Sequence, residues 1–238
     1  MKVLVTGTSK GLGLSIAKEL LDLNFQVVGI STRSDNPDVI KLKSNPNYNH
    51  IAYNFKWPND IKRFYQNELK DFGPFIGYVN NAAFAYDDIL TNCSLPKLEM
   101  MYNINVMSPI MLTKYMIRQS LLTKKDLSIV HISSISTRTG YKGLSMYAST
   151  KGALEAFSLN TAREWGSKGV RSNVVSPGFM DTNMSSSLTD EQRNKIFKRN
   201  SRLKELQTSE VAKTVSFLIS KESSGITGQV LNVDNGTI

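Results

Sequence analysis

The chain has 238 residues, 40% of them hydrophobic, and a formal net charge of +9 at pH 7. This size predicts one globular domain, or at most two, with a core large enough to be stable without metals or disulfides. The single cysteine, Cys93, excludes an intramolecular disulfide and favours a reducing, cytoplasmic compartment. No apolar run approaches the roughly 18 residues of a membrane span, and no charged-then-apolar leader precedes the first predicted strand, so neither membrane insertion nor secretion is expected.

The basic residues are scattered along the chain, with acidic residues between them. Nucleic-acid-binding proteins usually gather basic residues on one face and interleave them with aromatic ones. A solvated basic surface is therefore the first interpretation of the charge, an anionic cofactor or carrier-bound substrate the second, and nucleic acid the last. The two histidines, His50 and His131, are isolated and not spaced for metal ligation, so no metal site is predicted.

The first predicted strand, Lys2–Thr6, leads through a glycine-rich turn into a helix predicted over residues 14–23. The turn is Gly7-Thr8-Ser9-Lys10-Gly11-Leu12-Gly13. Its glycines allow the backbone to turn sharply and approach a pyrophosphate, whose charge is stabilised at the helix N-terminus. The alternative is an ordinary glycine-rich connection, but a strand before it and a helix after it favour dinucleotide binding.

A second strand is predicted over Gln26–Ser31 and continues into Thr32-Arg33-Ser34. An NAD site usually places an acidic residue here to bind the ribose hydroxyls. No acidic residue follows until Asp35, whereas the small hydroxyls, Arg33 and Lys10 suit a 2′-phosphate. We therefore expect NADP rather than NAD, the alternative being a plain basic loop.

The middle of the chain alternates predicted helices and strands: a short helix over 37–42, a strand over 50–54, a helix over 60–69, a strand over 75–79 and a long helix over 98–121. The fourth strand runs into Asn80-Asn81-Ala82-Ala83, whose small and amide side chains suit close packing against a cofactor. Asn105 and Pro109 disfavour helix, so we expect a kink between them. An interior amide at a kink needs hydrogen-bonding partners, which is compatible with holding a water.

The segment Tyr147-Ala148-Ser149-Thr150-Lys151 is the candidate catalytic site. It opens a predicted helix, in which residues four apart lie on one face, so the phenol and the ammonium are expected side by side. A cation favours the phenolate, so we expect the pKa of Tyr147 to be lowered towards neutrality, which suits a proton donor. Ser134 follows an apolar strand predicted over 128–133 and is placed to hold a substrate carbonyl. The alternative is two unrelated residues exposed on a helix face.

The last part of the chain contains predicted strands over 171–176 and 229–233 and a helix over 211–219. Residues 184–202 are polar and weakly anchored in pattern, so we expect a mobile lid over the substrate. The alternation of strands and helices predicts an α/β fold whose mostly parallel sheet is covered on both faces. No linker or repeat interrupts it, so residues 1–238 are predicted to form a single domain.

In their order and spacing these motifs resemble the short-chain dehydrogenase/reductase family over essentially the whole chain. The matching elements are Thr6-Gly7-x-x-x-Gly11-x-Gly13, Asn80-Asn81-Ala82, Asn105-Val106, Ser134, Tyr147-x-x-x-Lys151 and Pro177-Gly178 with Thr182. Within the family the chain is most similar to the bacterial 3-oxoacyl-[acyl carrier protein] reductases, above all over residues 173–182 and 226–229. The resemblance implies a Rossmann fold with a doubly wound, parallel, seven-stranded sheet.

The resemblance also implies a catalytic tetrad of Asn105, Ser134, Tyr147 and Lys151. Ser134 would orient the carbonyl and Tyr147 would donate the proton. Lys151 would lower the pKa of the tyrosine and bind the nicotinamide ribose, while Asn105 would hold a water in the proton relay. The implied cofactor contacts are Gly7, Ser9, Lys10, Gly11, Leu12, Gly13, Ser31, Thr32, Arg33, Asn54, Phe55, Asn81, Ala82, Ala83, Tyr147, Lys151, Pro177, Gly178, Phe179 and Thr182, the last holding the nicotinamide amide group.

The chain departs from the family pattern at three positions. Ala83 stands where the family commonly has glycine, Asn54 where an aspartate usually meets adenine, and Asn235 where the tail commonly has glycine. An amide both donates and accepts hydrogen bonds, so adenine binding is expected to survive. None of the three belongs to the tetrad.

The implied function is NADPH-dependent reduction of a carbonyl, with a carrier-bound β-ketoacyl group as one candidate substrate. Lys125 and Lys168 match basic positions that dock the acidic carrier, although ordinary surface lysines are as good an interpretation. Alternatives are an enzyme acting on a sugar or other small ketone, for example in surface-polysaccharide precursor synthesis, and a non-enzymatic dinucleotide-sensing module. A homotetramer or homodimer through the long helices predicted over 98–121 and 147–168 is expected, with no nucleic-acid or membrane partner.

Overall fold

The computed structural model describes residues 1–180 and 189–237. Their strands form one parallel sheet in the order β3-β2-β1-β4-β5-β6-β7. The strands are β1 (Lys2–Thr6), β2 (Gln26–Ser31), β3 (Tyr48–Ala52), β4 (Gly77–Asn80), β5 (Leu127–Ile132), β6 (Val170–Pro177) and β7 (Val230–Val233). The predicted doubly wound, seven-stranded parallel sheet is confirmed.

Helices connect the strands and cover both faces of the sheet. They are α1 (Gly11–Asp22), α2 (Pro37–Lys43), α3 (Ile61–Phe64), α4 (Leu95–Tyr102), α5 (Ser108–Thr123), α6 (Ser136–Thr139), α7 (Ser145–Trp165), α8 (Asp190–Phe197) and α9 (Thr208–Ile219). A parallel strand pair requires such a crossover, because the chain must return to the same end of the sheet before the next strand.

Side chains alternate between two buried faces along β1. Val3 and Val5 pack in a cluster with α1 and α9, whereas Leu4 packs in a second cluster with α3 and α5. Successive side chains of a strand point to opposite faces, so an unbroken apolar run is what a sheet covered on both sides needs. This is why β1 and β2 fall on the residues predicted for them.

The third strand was predicted two residues too late. It runs over Tyr48–Ala52 instead of residues 50–54, and Asn54 lies beyond its end. The polar residues Asn49 and His50 obscure the apolar pattern, and the burial of Tyr48 depends on partners from other strands. The predicted bounds of β3 are therefore wrong by two residues, although a strand was correctly predicted in this part of the chain.

The long helix predicted over 98–121 is two α-helices joined by a π-helical turn. The turn spans Asn103–Met107, between α4 and α5, and Pro109 lies in the first turn of α5. A wider turn of this kind is a common device for placing a polar residue at a functional site. The irregularity predicted at Asn105 is thus observed, as a π-turn.

The described helices include none with the length and apolar character needed to cross a bilayer. Within residues 1–180 and 189–237, no group of three or more His, Cys, Asp or Glu side chains is arranged to hold a metal ion.

Candidate active site

The predicted site residues lie at the carboxyl edge of the sheet. β1 is flanked by β2 on one side and β4 on the other, so the strand order reverses at this point. In open parallel sheets, the crevice at such a reversal is where ligands bind. Most of the predicted residues lie at or just after the ends of β1, β2, β3, β4, β5 and β6. Tyr147 and Lys151 lie on α7, Asn105 lies in the π-turn between α4 and α5, and Thr182 lies outside the described residues.

The glycine turn has no room for side chains at its two ends. A Cβ on Gly13 would lie 2.2 Å from the Gly7 carbonyl oxygen and 2.5 Å from Nδ2 of Asn81. Gly7 and Gly11 adopt φ values of +78° and +56°, a region that favours glycine. The turn therefore presents bare backbone at the N-terminus of α1, which is the geometry required to cradle a pyrophosphate.

The residues after β4 are held directly against this turn. The Thr6 hydroxyl oxygen accepts hydrogen bonds from the backbone amides of Asn81 and Ala82, both at 3.0 Å. The Asn81 side chain donates to the Thr6 carbonyl at 2.9 Å. Asn81 and Ala82 thus lie beside the glycine turn, and Thr6 is the residue that places them there.

The loop after β2 brings the predicted 2′-phosphate residues to the same edge. Thr32 and Arg33 are exposed, as is Lys10 in the glycine turn. Ser31 is buried and its hydroxyl donates to the Arg33 carbonyl at 2.8 Å, which curls the loop. Exposed cations beside a buried hydroxyl make this side of the crevice basic, although no contact among these side chains defines a closed phosphate site.

The residues after β3 contribute less than predicted. Phe55 is buried in an aromatic cluster with Tyr53 and Phe64, so its side chain belongs to the core. Its carbonyl accepts a hydrogen bond from the Ser108 hydroxyl at 2.6 Å. The Asn54 side chain accepts from the Lys56 amide at 3.0 Å and caps a local turn. Asn54 keeps its amide hydrogens to donate, but Phe55 can serve a cofactor through its position only.

Lys151 fixes the start of α7 against the end of β5. Its side chain is 2% exposed and donates to the Ile132 carbonyl at 2.9 Å. Its ammonium nitrogen lies 5.6 Å from the centre of the Tyr147 ring. Since Ile132 is the last residue of β5 and Ser134 follows it closely, this bond brings Tyr147 to the strand end that carries Ser134.

The pKa of Tyr147 differs from the sequence-based expectation. Burial, and secondly the carboxylate of Asp87, raise the pKa of Tyr147 above its ordinary value of 10.0. Burial also lowers the pKa of Lys151 to about 8. The lysine ammonium is engaged with a backbone carbonyl, and burial and the negative charge of Asp87 both disfavour the phenolate. The expectation of a lowered tyrosine pKa is therefore wrong for this geometry.

Asn105 is buried in the π-turn, with its side-chain amide engaged on both sides. Its oxygen accepts from the Phe84 amide, and its nitrogen donates to the Phe84 carbonyl, both at 2.8 Å. The second amide hydrogen is donated to the Thr150 hydroxyl at 3.1 Å. Asn105 therefore joins the loop after β4 to the helix of Tyr147, and any water held here must use its remaining oxygen lone pair or the backbone of the π-turn.

Ser134 and the loop after β6 complete the crevice. The Ser134 hydroxyl oxygen accepts from the Ser136 amide at 3.2 Å, which leaves its proton available to donate. A Cβ on Gly178 would lie 2.7 Å from Cα of Asp234, so only glycine fits there. The Phe179 ring lies 5.7 Å from the ring of Phe197 on α8.

Several residues of the site were missed by the sequence analysis. The charge of Asp87 acts on Tyr147, Thr6 anchors Asn81, and Thr150 accepts a hydrogen bond from Asn105. Thr6 and Thr150 sit inside motifs that were recognised, so their hydroxyls were the available signal. The sequence carried no signal for Asp87, because only the folded loop after β4 brings its charge near the tyrosine.

Comparison with known proteins decides the family. A family model described as "Enoyl-(Acyl carrier protein) reductase" matches residues 7–237. The 3-oxoacyl-[acyl-carrier-protein] reductase FabG of Salmonella typhimurium is 33% identical over 233 residues, which cover 98% of this chain and 95% of that protein. The chain belongs to the short-chain dehydrogenase/reductase family. FabG of Escherichia coli K12 is 32% identical over the same shares of the two chains.

Solved structures of short-chain dehydrogenases superpose closely on the chain. A protein of Agrobacterium tumefaciens, named as a 2-deoxy-D-gluconate 3-dehydrogenase and crystallised with NADP, gives a TM-score of 0.88 at 26% identity, covering 99% of this chain and 95% of that one. An actinorhodin polyketide ketoreductase with NADPH gives 0.90 at 23% identity, covering 99% and 96%, and supports the fold alone. The chain is accordingly a short-chain dehydrogenase/reductase-type oxidoreductase.

Proposed function

We propose that the protein is an NADPH-dependent oxidoreductase that reduces a carbonyl to an alcohol, with Tyr147 as the proton donor. The observation that carries this proposal is the bond from Lys151 to the Ile132 carbonyl at 2.9 Å. It anchors the start of α7, which carries Tyr147, at the end of β5 close to Ser134, on the carboxyl edge that also holds the glycine turn. The residues proposed as proton donor and carbonyl-binding hydroxyl and the proposed dinucleotide crevice therefore lie on one edge of the sheet.

The residues present fit a nicotinamide dinucleotide. The bare backbone of the glycine turn, at the N-terminus of α1, suits its pyrophosphate. Thr32, Arg33 and Lys10 would take the 2′-phosphate, and Ser31 would shape the loop that carries two of them. An Arg fork pairs with phosphate in two hydrogen bonds. Two solved relatives contain NADP or NADPH, while a 4-hydroxyisoleucine dehydrogenase of the same fold contains NADH. The acid-free loop after β2 favours NADP for this chain.

The contacts of the four tetrad residues support a role for each. Ser134 would donate its free proton to the substrate carbonyl oxygen, and Tyr147 would then protonate that oxygen as the alcohol forms. Bound NADPH supplies the hydride in such a reaction. Lys151 holds the helix of Tyr147 in place, and Asn105 ties the loop after β4 to it, so both act first by positioning.

The substrate proposed first is a 3-oxoacyl thioester, because the FabG relatives are named for it. Lys125 and Lys168 are exposed, and they precede the paired residues Leu127 and Val170 at the amino edge of the sheet. That edge is opposite to the candidate site of the same chain. A carrier docked on these lysines would therefore need to serve the crevice of a second copy, which accords with the proposed homodimer or homotetramer.

A second candidate is oxidation or reduction of a sugar acid, supported by the Agrobacterium tumefaciens structure. The substrate is expected to be chosen by the segment 184–202, of which residues 184–188 lie outside the described part. The segment was expected to be weakly anchored, and this is wrong at its end. Asn200 is 7% exposed, and the amides of Ser201 and Arg202 bond to the carbonyls of Gly236 and Asn235. A lid formed by this segment would hinge before these residues. The Phe197 ring of α8 lies against the ring of Phe179.

The test is a substrate panel assayed by NADPH consumption. It contains a 3-oxoacyl thioester, the same acyl group on its carrier, a sugar-acid ketone and an enoyl thioester. The enoyl compound is the control, because the family description names enoyl reduction. We expect turnover of the 3-oxoacyl thioester; turnover of the enoyl thioester alone would contradict carbonyl reduction. Charge reversal of Lys125 and Lys168 should slow turnover of the carrier-bound substrate only.

A cytoplasmic location is proposed together with this function.

A further inference from the structure

Side chains beneath the basic end of the crevice form a continuous chain of hydrogen bonds. The Thr8 hydroxyl lies 3.1 Å from that of Tyr48, which lies 3.0 Å from Nδ1 of His50. Nε2 of the same imidazole lies 3.3 Å from the Ser31 hydroxyl, which donates to the Arg33 carbonyl at 2.8 Å. The chain thus starts in the glycine turn and ends in the loop after β2.

The protons of this chain have a defined direction. Burial, and secondly the Lys43 ammonium, lower the pKa of His50, although the Arg33 carbonyl opposes this, so the ring is neutral at pH 8. The Ser31 hydroxyl donates its proton to the Arg33 carbonyl, so it must accept from the Nε2–H of the imidazole. Nδ1 must then accept from Tyr48, whose oxygen accepts from Thr8.

Gly29 leaves the space in the sheet that this series of hydrogen bonds occupies. Gly29 on β2 pairs with His50 on β3. A Cβ on Gly29 would lie 2.2 Å from the Tyr48 hydroxyl oxygen and 2.7 Å from Oγ1 of Thr8. Thr8 is 0% and Tyr48 5% exposed, so both hydroxyls would be costly to bury without these partners.

We propose that Tyr48 and His50 are positioning residues for the dinucleotide, holding the glycine turn and the Ser31–Arg33 loop at the spacing that the pyrophosphate and the 2′-phosphate require. This inference rests on the proposed function. The glycine turn is also held by its backbone, since the amides of Gly7 and Thr8 both donate to the Ile30 carbonyl. The loop after β2 has fewer backbone hydrogen bonds of this kind. Breaking the Thr8–Tyr48–His50–Ser31 hydrogen bonds should therefore weaken binding of the 2′-phosphate more than binding of the pyrophosphate.

The test compares nucleotide affinities of variants at pH 8, measured by titration of NADPH and NADH fluorescence. Tyr48→Phe and His50→Phe are each expected to weaken NADPH binding about tenfold, the effect of one charge-assisted contact, and NADH binding less. The double variant should bind no more than about twofold more weakly than the worse single one, because both break the same chain. His50→Gln, which can donate and accept, should stay within about threefold of the wild type.

Asn49→Ala, an exposed residue between the two on β3, is the matched control and should leave both affinities unchanged. Thermal unfolding of each variant identifies any that fails to fold. If His50→Phe fails to fold, Tyr48→Phe, which loses a single oxygen atom, serves as the test of the proposal. Equal losses for NADPH and NADH, or NADPH affinities within twofold of the wild type, would overturn the positioning role. A wild type that binds neither nucleotide would instead overturn the proposed function.

Discussion

At the scale of single residues, the surroundings of Tyr147 matter more than its spacing from Lys151. The pair lies on one face of α7 as predicted, yet the ammonium is engaged with the Ile132 carbonyl and the Asp87 carboxylate acts on the phenol. Sequence spacing fixes which groups are neighbours; it does not fix which of them dominates the pKa. Burial is the larger cause, and only the fold supplies it.

Asp87 is therefore expected to set part of the pH dependence of carbonyl reduction. Tyr147 donates only when protonated, so the rate falls as pH rises through its apparent pKa. Asp87→Asn removes a negative charge that disfavours the phenolate and should move this fall to lower pH, by a few tenths of a unit to about one unit at low salt. The measurement is the pH profile of kcat/KM. Asp22→Asn, at the end of α1, is the control; a shift to higher pH in Asp87→Asn would refute the role.

His131 is expected to make the protein sensitive to acid. It is 0% exposed, Asn80 donates to its Nδ1 at 3.2 Å, and burial, then Lys151, lowers its pKa to about 3. Between the ordinary histidine pKa and this value, the unfolded chain binds a proton that the folded one does not. The free energy of unfolding should therefore fall as pH falls, by about 1.4 kcal/mol per unit.

The comparison that isolates this effect is urea unfolding of the wild type and His131→Gln at pH 7 and pH 5. Other groups titrate in both proteins, so their contributions cancel in the difference. The wild type should lose about 2 kcal/mol more than the variant over this interval. Equal losses would mean that His131 is not held neutral by its surroundings.

At the scale of elements, the turn between β1 and α1 depends on close backbone approach. Gly13→Ala would place a methyl group 2.2 Å from the Gly7 carbonyl oxygen. We expect the free energy of unfolding to fall by roughly 1–3 kcal/mol through overpacking, and dinucleotide affinity to fall by more than about tenfold as the turn moves. Scanning calorimetry checks the change in stability, and titration calorimetry with NADPH checks the change in affinity.

The control for this substitution is Gly225→Ala, where a Cβ meets nothing within 4 Å. That variant should bind NADPH as the wild type does. If Gly13→Ala also binds normally, the crevice at the strand-order reversal does not hold the pyrophosphate.

The elements show where sequence reasoning succeeds and where it stops. β1 and β2 fall on their predicted residues because each carries an apolar run that local pattern alone explains. The prediction of β3 was displaced because the buried Tyr48 hydroxyl finds its partners in Thr8 of the glycine turn and in His50, and periodicity does not reveal such contacts. The π-turn at Asn103–Met107 was anticipated only as an irregularity, since its form depends on Phe84 and Thr150 from other elements.

At the scale of the whole molecule, the alternation of elements predicted a mostly parallel sheet covered on both faces, and the glycine turn predicted a dinucleotide crevice. The seven strands and the double winding were expected from the resemblance to the family, and the order of the strands was not predicted. The candidate site was found from residues close together in the chain, such as Tyr147 and Lys151. Asp87 was not, because it reaches Tyr147 through the loop whose Asp88 amide bonds to the Gly143 carbonyl at 3.0 Å. Contacts between distant segments are what the sequence left open.

Self-association is expected through the helices that flank the crevice. Met107, beside α5, and Leu159 on α7 are each 49% exposed, although apolar side chains favour burial. Replacing both with Lys should convert a dimer or tetramer to monomers in light scattering. Ile40→Lys, on α2 and 57% exposed, is the control and should change nothing. A wild type that is monomeric at micromolar concentration would contradict this expectation.

The central claim is that Tyr147 gives its proton to a carbonyl bound beside the dinucleotide crevice. The most direct measurement is the turnover and NADPH affinity of Tyr147→Phe, with Tyr141→Phe in the preceding turn as control. We predict that kcat for the best ketone of the panel falls by at least about a hundredfold, the contribution of a positioned acid. NADPH affinity should stay within about twofold of the wild type. Turnover close to that of the wild type would contradict the account.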